Sequence, residues 1–160
     1  MDPHPMDKHS FRRCCGRFAT GVTVAAVKDE AGTPHGVTVN SFTSVSLSPP
    51  QILICLDHSS KVLPFFRKSK YFGISVLRED QQDLSTRFAT RGPDRFQGVR
   101  FHAGIEGVPL IEGAIAHFGC RVAKVVESGD HAIFIGDVLE VSAAEGRPLL
   151  YYGSHYHRLE

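Results

Sequence analysis

At 160 residues the chain has the length of one domain and can bury a proper core. With 42% hydrophobic and 22% charged residues it has the make-up of an ordinary soluble globular protein. Eighteen Lys and Arg against seventeen Asp and Glu leave a formal charge of +1, which offers no electrostatic footprint for nucleic acid or an anionic membrane.

Residues 1–8 are polar and Pro-containing, and they read as a loose arm rather than a signal peptide. No later apolar run is long enough to span a bilayer, so a cytoplasmic location is expected. Ser10 can cap a helix over 11–19, with Phe11, Cys14, Cys15 and Phe18 on one face and Gly21 at its end. Residues 22–27 form a β-strand. The Asp29-Glu30-Ala31-Gly32 turn then makes a hairpin into 35–41. Pro49 and Pro50 force an extended break. The near-continuous apolar run 51–56 predicts a strand buried on both faces.

A short helix through Phe65, Phe66 and Lys68 follows, with Pro64 in its first turn. Residues 71–77 are the next strand. Asp80 opens a helix to about Ala89, with Leu84 and Phe88 inward. Residues 91–103 are rich in Gly, Arg and Pro and read as a loop or partial lid. Two long strands, 114–127 and 131–143, are joined by Ser128-Gly129-Asp130, and 148–152 is a last short strand. About seven hairpin-linked strands and three short helices exclude a doubly wound parallel sheet. They favour a mainly β, closed or nearly closed antiparallel barrel with peripheral helices. No repeat or second domain is present, so 9–153 is one domain. Residues 154–160 are a tail whose final Leu159-Glu160 resembles vector-derived sequence.

The chain is organised around residues 36–57. Thr38, Asn40, Ser41, Thr43, Ser44, Ser46 and Ser48 place hydroxyl and amide groups between apolar residues there. Burying a face does not need so many small polar groups, whereas gripping a flat ligand with polar edges does. Just beyond, Asp57-His58-Ser59-Ser60-Lys61 lies where a strand gives way to a helix. Free amides, two hydroxyls and a lysine make this a phosphate seat, although Ser59 or Ser60 can equally be a plain helix cap. Asp57 would repel phosphate and suits the hydroxyls of a sugar or ribityl chain.

Arg87 can reach a phosphate or simply complement a helix C-terminus. Gly129 and Asp130 are explained by a turn, but His131 is not required by one. Cys14, Cys15, Cys55 and Cys120 lack zinc spacing and read as reduced thiols packed as small hydrophobes. The pair His155-x-His157 is a weak metal signal, and no metal site is expected. Rossmann, phosphate-loop, nucleophile-elbow and zinc-protease signatures are all missing.

Six segments together carry a resemblance. They are Thr-Val-Asn-Ser-Phe-Thr-Ser-Val-Ser-Leu-Ser-Pro-Pro from Thr38, Cys-Leu-Asp-His-Ser-Ser-Lys from Cys55, Tyr-Phe-Gly-Ile-Ser-Val-Leu from Tyr71, Ser-Thr-Arg-Phe-Ala from Ser85, Pro-Leu-Ile-Glu-Gly-Ala from Pro109 and Gly-Asp-His from Gly129. In this order, over nearly all of the chain, they resemble the short-chain flavin reductases, the reductase partners of two-component flavin-dependent monooxygenases.

The resemblance implies an FMN-binding split barrel, antiparallel and Greek-key-like, a homodimer, and NADH- or NADPH-dependent reduction of FMN or FAD. It implies a flavin site formed by Thr38, Val39, Asn40, Ser41 and Ser46 along the ring. Cys55, Leu56, Asp57, Ser59, Ser60 and Lys61 would follow the ribityl chain and phosphate, and Arg87, Phe88 and Ala89 would complete the site. His131, Tyr152, His155 and Tyr156 would face the nicotinamide nucleotide. Hydride transfer needs no covalent or acid-base residue, so none is assigned. His58 and Lys61 depart from the Thr or Arg common at these positions, which leaves FMN against FAD open. A flavin-binding module without NAD(P)H turnover is the competing reading. A relative of the pyridoxamine-phosphate oxidases fits the Gly-Asp-His and Asn-Ser-Phe patterns less well.

Overall fold

Two consecutive strands, β3 (Pro34–Val39) and β4 (Thr43–Leu47), lie at opposite edges of one seven-stranded antiparallel sheet. Between those edges, from the β3 side, run β2 (Thr23–Lys28), β6 (Tyr71–Val76), β9 (Ala116–Ser128), β10 (His131–Ala143) and β5 (Pro50–Asp57). Laid flat, six interstrand steps would separate the edges by about 29 Å. The link through residues 40–42 can reach only about 14 Å. The sheet therefore rolls up until its first and last strands meet, and β3 comes into contact with β5. The structure, a computed structural model, describes residues 5–90, 92 and 94–160.

The roll encloses the larger core. Ile52, Ile54 and Leu56 of β5, Phe72 and Ile74 of β6, and Ala132 and Phe134 of β10 all point inward and are buried. Helix α2 (Leu63–Lys68) inserts Phe66 among them, tilted against Phe72 and edge-on to Phe134. A second core covers the outside of β2, where Val24 and Ala26 pack with Phe88 of α3 (Gln82–Ala89), Leu77, Ile111 and Leu149. Gly36 makes this close packing possible. A Cβ there would stand 3.0 Å from the rings of both Phe88 and Phe96. The long β9–β10 hairpin closes through Gly129 and Asp130, with Gly129 at φ 56°, as a two-residue turn of this twist requires.

The smaller strands decorate this frame. Strands β7 (Phe101–Ala103) and β8 (Pro109–Ile111) pair with each other. β1 (Thr20–Gly21), β11 (Leu150–Tyr152) and β12 (His155–His157) form a three-stranded sheet. Among the described residues no helix is long and apolar enough to cross a membrane.

Four expectations need correction. Helix α1 is Lys8–Cys15, because the Asp7 carboxylate accepts the amides of His9 and Ser10 and starts the helix earlier. Residue 8 is therefore helical and not part of a loose arm, while the rest of the predicted 1–8 arm lies partly outside the described residues. None of this helix is buried. Phe11 and Phe18 are 59% and 78% exposed, and Cys14 and Cys15 are exposed too, so the predicted apolar face does not pack inward. The predicted doubly buried strand, β5, alternates between buried and part-exposed residues, whereas β2 and β6 are the strands buried on both faces; over β2 the outer side is covered by a core that includes Phe88 of α3. Finally, His155–His157 is a strand rather than a loose tail, held by antiparallel pairing with β11.

Candidate functional site

The seam of the rolled sheet is where the candidate residues gather. At its edge, β3 pairs only with β2, so half of its backbone N–H and C=O groups face the seam instead of a strand. Ser41 bridges the gap: its hydroxyl accepts the Cys55 amide and donates to the Cys55 carbonyl, both at 3.0 Å. One side chain thus holds the ring-side segment against the segment that leads to Lys61.

Three cavities follow β3 along this seam. Near His35 and Gly36 lies one of about 650 Å³, with Lys61, Phe65 and Arg95 in its walls. At Thr38 and Asn40 lies one of about 160 Å³, closed by Ser85, Ala89 and Tyr156. Asn40, Ser41 and Phe42 open onto a third of about 510 Å³, shared with Phe18, Thr20 and Val76. Asn40 joins the last two. A flat ring system with a polar edge and an anionic tail fits such a track, whose cations among the described residues, Lys61 and Arg95, stand at the His35 end.

Thr38 is fixed by its own hydroxyl, which donates to the Ser85 carbonyl at 2.6 Å. The Ser85 hydroxyl in turn lies 2.7 Å from the Tyr156 hydroxyl. This relay ties β3, α3 and the C-terminal hairpin together around the 160 Å³ cavity. It also shows that the Thr38 and Ser41 hydroxyls serve the protein's own structure. What they leave for a ligand is the backbone edge and the Asn40 amide.

At the other end, β5 delivers Asp57 beside His131, its cross-strand partner on β10. The His58 amide donates to the Asp130 carbonyl at 2.9 Å, which knits the 57–61 loop to the hairpin tip. The Asp57 carboxylate accepts the Ser59 amide at 2.7 Å, and the Ser59 amide and hydroxyl hold its pKa below the ordinary value. His131 donates from Nδ1 to Asp130 at 2.7 Å, which leaves Nε2 as its free face. Asp130 is held below its ordinary pKa chiefly by that bond.

Behind this tip, Glu127 receives hydrogen bonds from Arg67 and from His58, the latter at 2.7 Å. Together they hold its carboxyl down to about 2. A depressed carboxylate contributes stability above its unfolded value near 4.5, and that contribution disappears as pH falls toward 2. Glu127→Gln is therefore expected to flatten the acid limb of a Tm-against-pH curve between those two values. The effect is small and shrinks with salt, because the pair is solvent-exposed. Superimposable acid limbs would remove this cluster from the acid response.

The remaining candidates divide. Lys61 is exposed at the cavity wall, and Ala89 lines the small cavity. Arg87 is exposed on α3. Val39, Leu56 and Phe88 are buried, so their side chains support the groove from beneath and only their backbones can reach a ligand. Ser46 is set apart: it pairs with Gln51, six residues along β5 from Asp57, about 20 Å away. Of the four residues assigned to the nucleotide, Tyr156 faces the Thr38 cavity and His131 the Asp57 end. Tyr152 and His155 point outward, where Tyr152 accepts from Arg17 and His155 bonds the Gly153 carbonyl.

Two of the four thiols are shielded, whereas Cys14 and Cys15 are exposed and not packed as small hydrophobes. Burial raises the Cys55 pKa and pushes Cys120 up to about 12. Among the described residues no group of three or more His, Cys, Asp or Glu is placed to hold a metal. Sequence reasoning missed Arg95, whose guanidinium donates to the carbonyls of Gly36 and Phe88. It also missed the relay role of Ser85, although Ser85 opens the Ser-Thr-Arg-Phe-Ala segment already singled out.

Comparison with known proteins identifies a family. Residues 15–160 match the family model described as a flavin reductase like domain. The reductase component of a 4-nitrophenol 4-monooxygenase/4-nitrocatechol 2-monooxygenase from Rhodococcus opacus is 40% identical over 95% of this chain and 81% of its own length. An FMN reductase (NADH) from Agrobacterium fabrum is 42% identical over 98% of this chain and 88% of its own. The solved structure of an NADH:FAD oxidoreductase from Streptomyces globisporus, in complex with NAD and FAD fragments, superposes with a TM-score of 0.92. It shares 38% identity and covers 98% of this chain and 95% of that one. With a rolled antiparallel sheet, cavities along its seam and a family match over residues 15–160, this protein belongs to the flavin reductase like family.

Proposed function

We propose that the chain is an NADH-dependent flavin reductase that supplies reduced flavin to a separate monooxygenase. The observation that carries this is the track along β3, apolar and amide-edged at Thr38 and Asn40 and cationic at Lys61. Flavin, when bound, would supply the acceptor for a hydride from NADH, with a proton from solvent completing the reduced flavin and NAD⁺ leaving. What the protein does is position and shield. The edge of β3 and the Asn40 amide meet the polar ring edge, while Ala89 and Tyr156 bound the ring and keep water out. The loop through Ser59, Ser60 and Lys61 meets the phosphate, with Asp57 beside the ribityl hydroxyls. His131 offers Nε2 to the nicotinamide nucleotide from the neighbouring hairpin tip. No side chain has to give or take a proton for the hydride step.

The test is steady-state NADH oxidation with added flavin. Turnover that depends on flavin is the expected result, and its absence would leave a flavin-binding module instead. His131→Ala is expected to raise the KM for NADH several-fold and to change flavin affinity less than twofold. Equal NADH kinetics in the two proteins would remove His131 from the site.

The reductase acts as a homodimer. Strand β10 continues past its last β5 partner at Asp137, leaving residues 138–143 with one edge unpaired among the described strands. Leu139 and Val141 there, and Leu47 at the adjoining end of β4, are 44%, 63% and 91% exposed. An open edge carrying large apolar side chains is costly in water and is relieved by a partner surface. Light scattering is expected to return twice the 17.6 kDa chain mass, and a fully active monomer would refute this.

A further inference from the structure

The loop that carries Ser59, Ser60 and Lys61 is gripped on both sides by one carboxylate. Glu127, near the end of β9, accepts from His58 Nε2 on one oxygen at 2.7 Å and from Arg67 on the other. His58 stands just before the loop, and Arg67 lies beyond it, in the last turn of α2. The His58 amide adds its 2.9 Å bond to the Asp130 carbonyl. Asp130 in turn orients His131 through its carboxylate. His58 therefore binds both the carboxylate that brackets the loop and the residue that sets the free face of His131.

Local structure does not call for these contacts. Asp57 closes the turn by itself, accepting the Ser59 amide on its carboxylate at 2.7 Å and the Ser60 amide on its carbonyl at 3.0 Å. His58 is exposed and belongs to neither core. Its bonds do one thing: they tie the loop to the tip of the β9–β10 hairpin.

We propose that His58 is a positioning residue through which the flavin phosphate loop and the nucleotide-binding hairpin tip order one another. The inference rests on the proposed function, which gives the loop to the flavin phosphate and His131 to NADH. A nucleotide held at His131 fixes the hairpin tip, and the two His58 bonds pass that order to the loop. Flavin then meets a loop with less conformational freedom left to lose. By linkage, flavin tightens the nucleotide by the same factor. Ser59, Ser60 and Lys61 meet the ligand, and His58 acts through them.

Fluorescence titrations of the full chain with FMN and with FAD, each with and without saturating NAD⁺, test this. NAD⁺ serves because it cannot reduce the flavin. In the unaltered protein NAD⁺ is expected to lower the Kd of the tighter flavin about fivefold, the low end for coupled sites. His58→Ala is expected to bring that ratio close to one, and His58→Gln, which keeps a donor for Glu127, to restore most of it. A purely structural role would weaken flavin equally in both titrations and leave the ratio unmoved. If His58→Ala also lowers Tm by more than about 5 °C, Glu127→Gln decides, since it loosens the grip and leaves the bond to Asp130. It too is expected to lower the ratio. An unaltered protein whose flavin affinity ignores NAD⁺ would overturn the proposal, and so would a ratio that neither His58→Ala nor Glu127→Gln moves. Failure to bind either flavin would instead sink the reductase reading itself.

Discussion

Phe66→Ala is expected to cost about 3–5 kcal/mol of stability, the range for deleting a buried phenylalanine. At this chain length that lowers Tm by roughly 6–20 °C. Phe66 is 1% exposed and, with Leu63, is one of the two residues that α2 buries in the barrel core. Its ring meets Phe134 at 5.8 Å and Phe72 at 6.4 Å, so truncation removes apolar burial and two aromatic contacts at once. The rolled sheet cannot collapse onto the space, because its interstrand spacing is set by hydrogen bonds. The consequence reaches the site, because Lys61 is two residues before α2 and loses its anchor. Phe66→Leu retains most of the volume and is expected to recover at least half of the loss. A thermal scan in which Phe66→Ala melts within 2 °C of the parent would show that α2 does not seal the core.

Ser41→Ala is expected to weaken flavin binding at least tenfold, about 1.4 kcal/mol. The stability cost is about 1–3 kcal/mol, the penalty for leaving the Cys55 amide and carbonyl unpaired. Ser41 is the side chain that clasps the seam. Without it, the Thr38–Asn40 segment and the loop toward Lys61 lose their fixed separation, and the two ends of the ligand no longer meet preformed contacts. Ser41→Thr keeps the hydroxyl and is expected to restore binding, which distinguishes a clasp from mere tolerance of size. Equal flavin affinity in the parent and Ser41→Ala would refute this role.

Much of the molecule was legible in its residues. Alternation and turn chemistry located β2, β3, β6 and the β9–β10 hairpin, because each is a local pattern bounded by its own punctuation. His131–Ala143 came out at the predicted bounds, since the Gly129–Asp130 turn fixes its start. The 57–61 loop and His131 could be singled out by residue type alone. Less legible was anything that depends on a neighbour distant in sequence. The helix 11–19 shows an apolar stripe, yet Phe11 and Phe18 remain exposed because nothing in the barrel offers that face a surface. The run 51–56 looks buried on both faces, but only tertiary placement decides which strand a helix covers, and α3 covers β2. Arg95 sits in a segment that reads as plain loop. Its role follows from two carbonyls, one of them fifty-nine residues away.

The order and type of the main elements, the thiols' lack of metal spacing and the polar character of residues 38–48 belong to the sequence itself, because they rest on local periodicity and residue chemistry. The division of those polar residues belongs to the fold. Thr38 and Ser41 spend their hydroxyls on Ser85 and Cys55, Asn40 opens onto two cavities, and Ser46 lies about 20 Å from Asp57. The reason is the short 40–42 link, which forces the sheet's edges together. Where they meet, some polar groups must close the seam, and only the rest remain for a ligand.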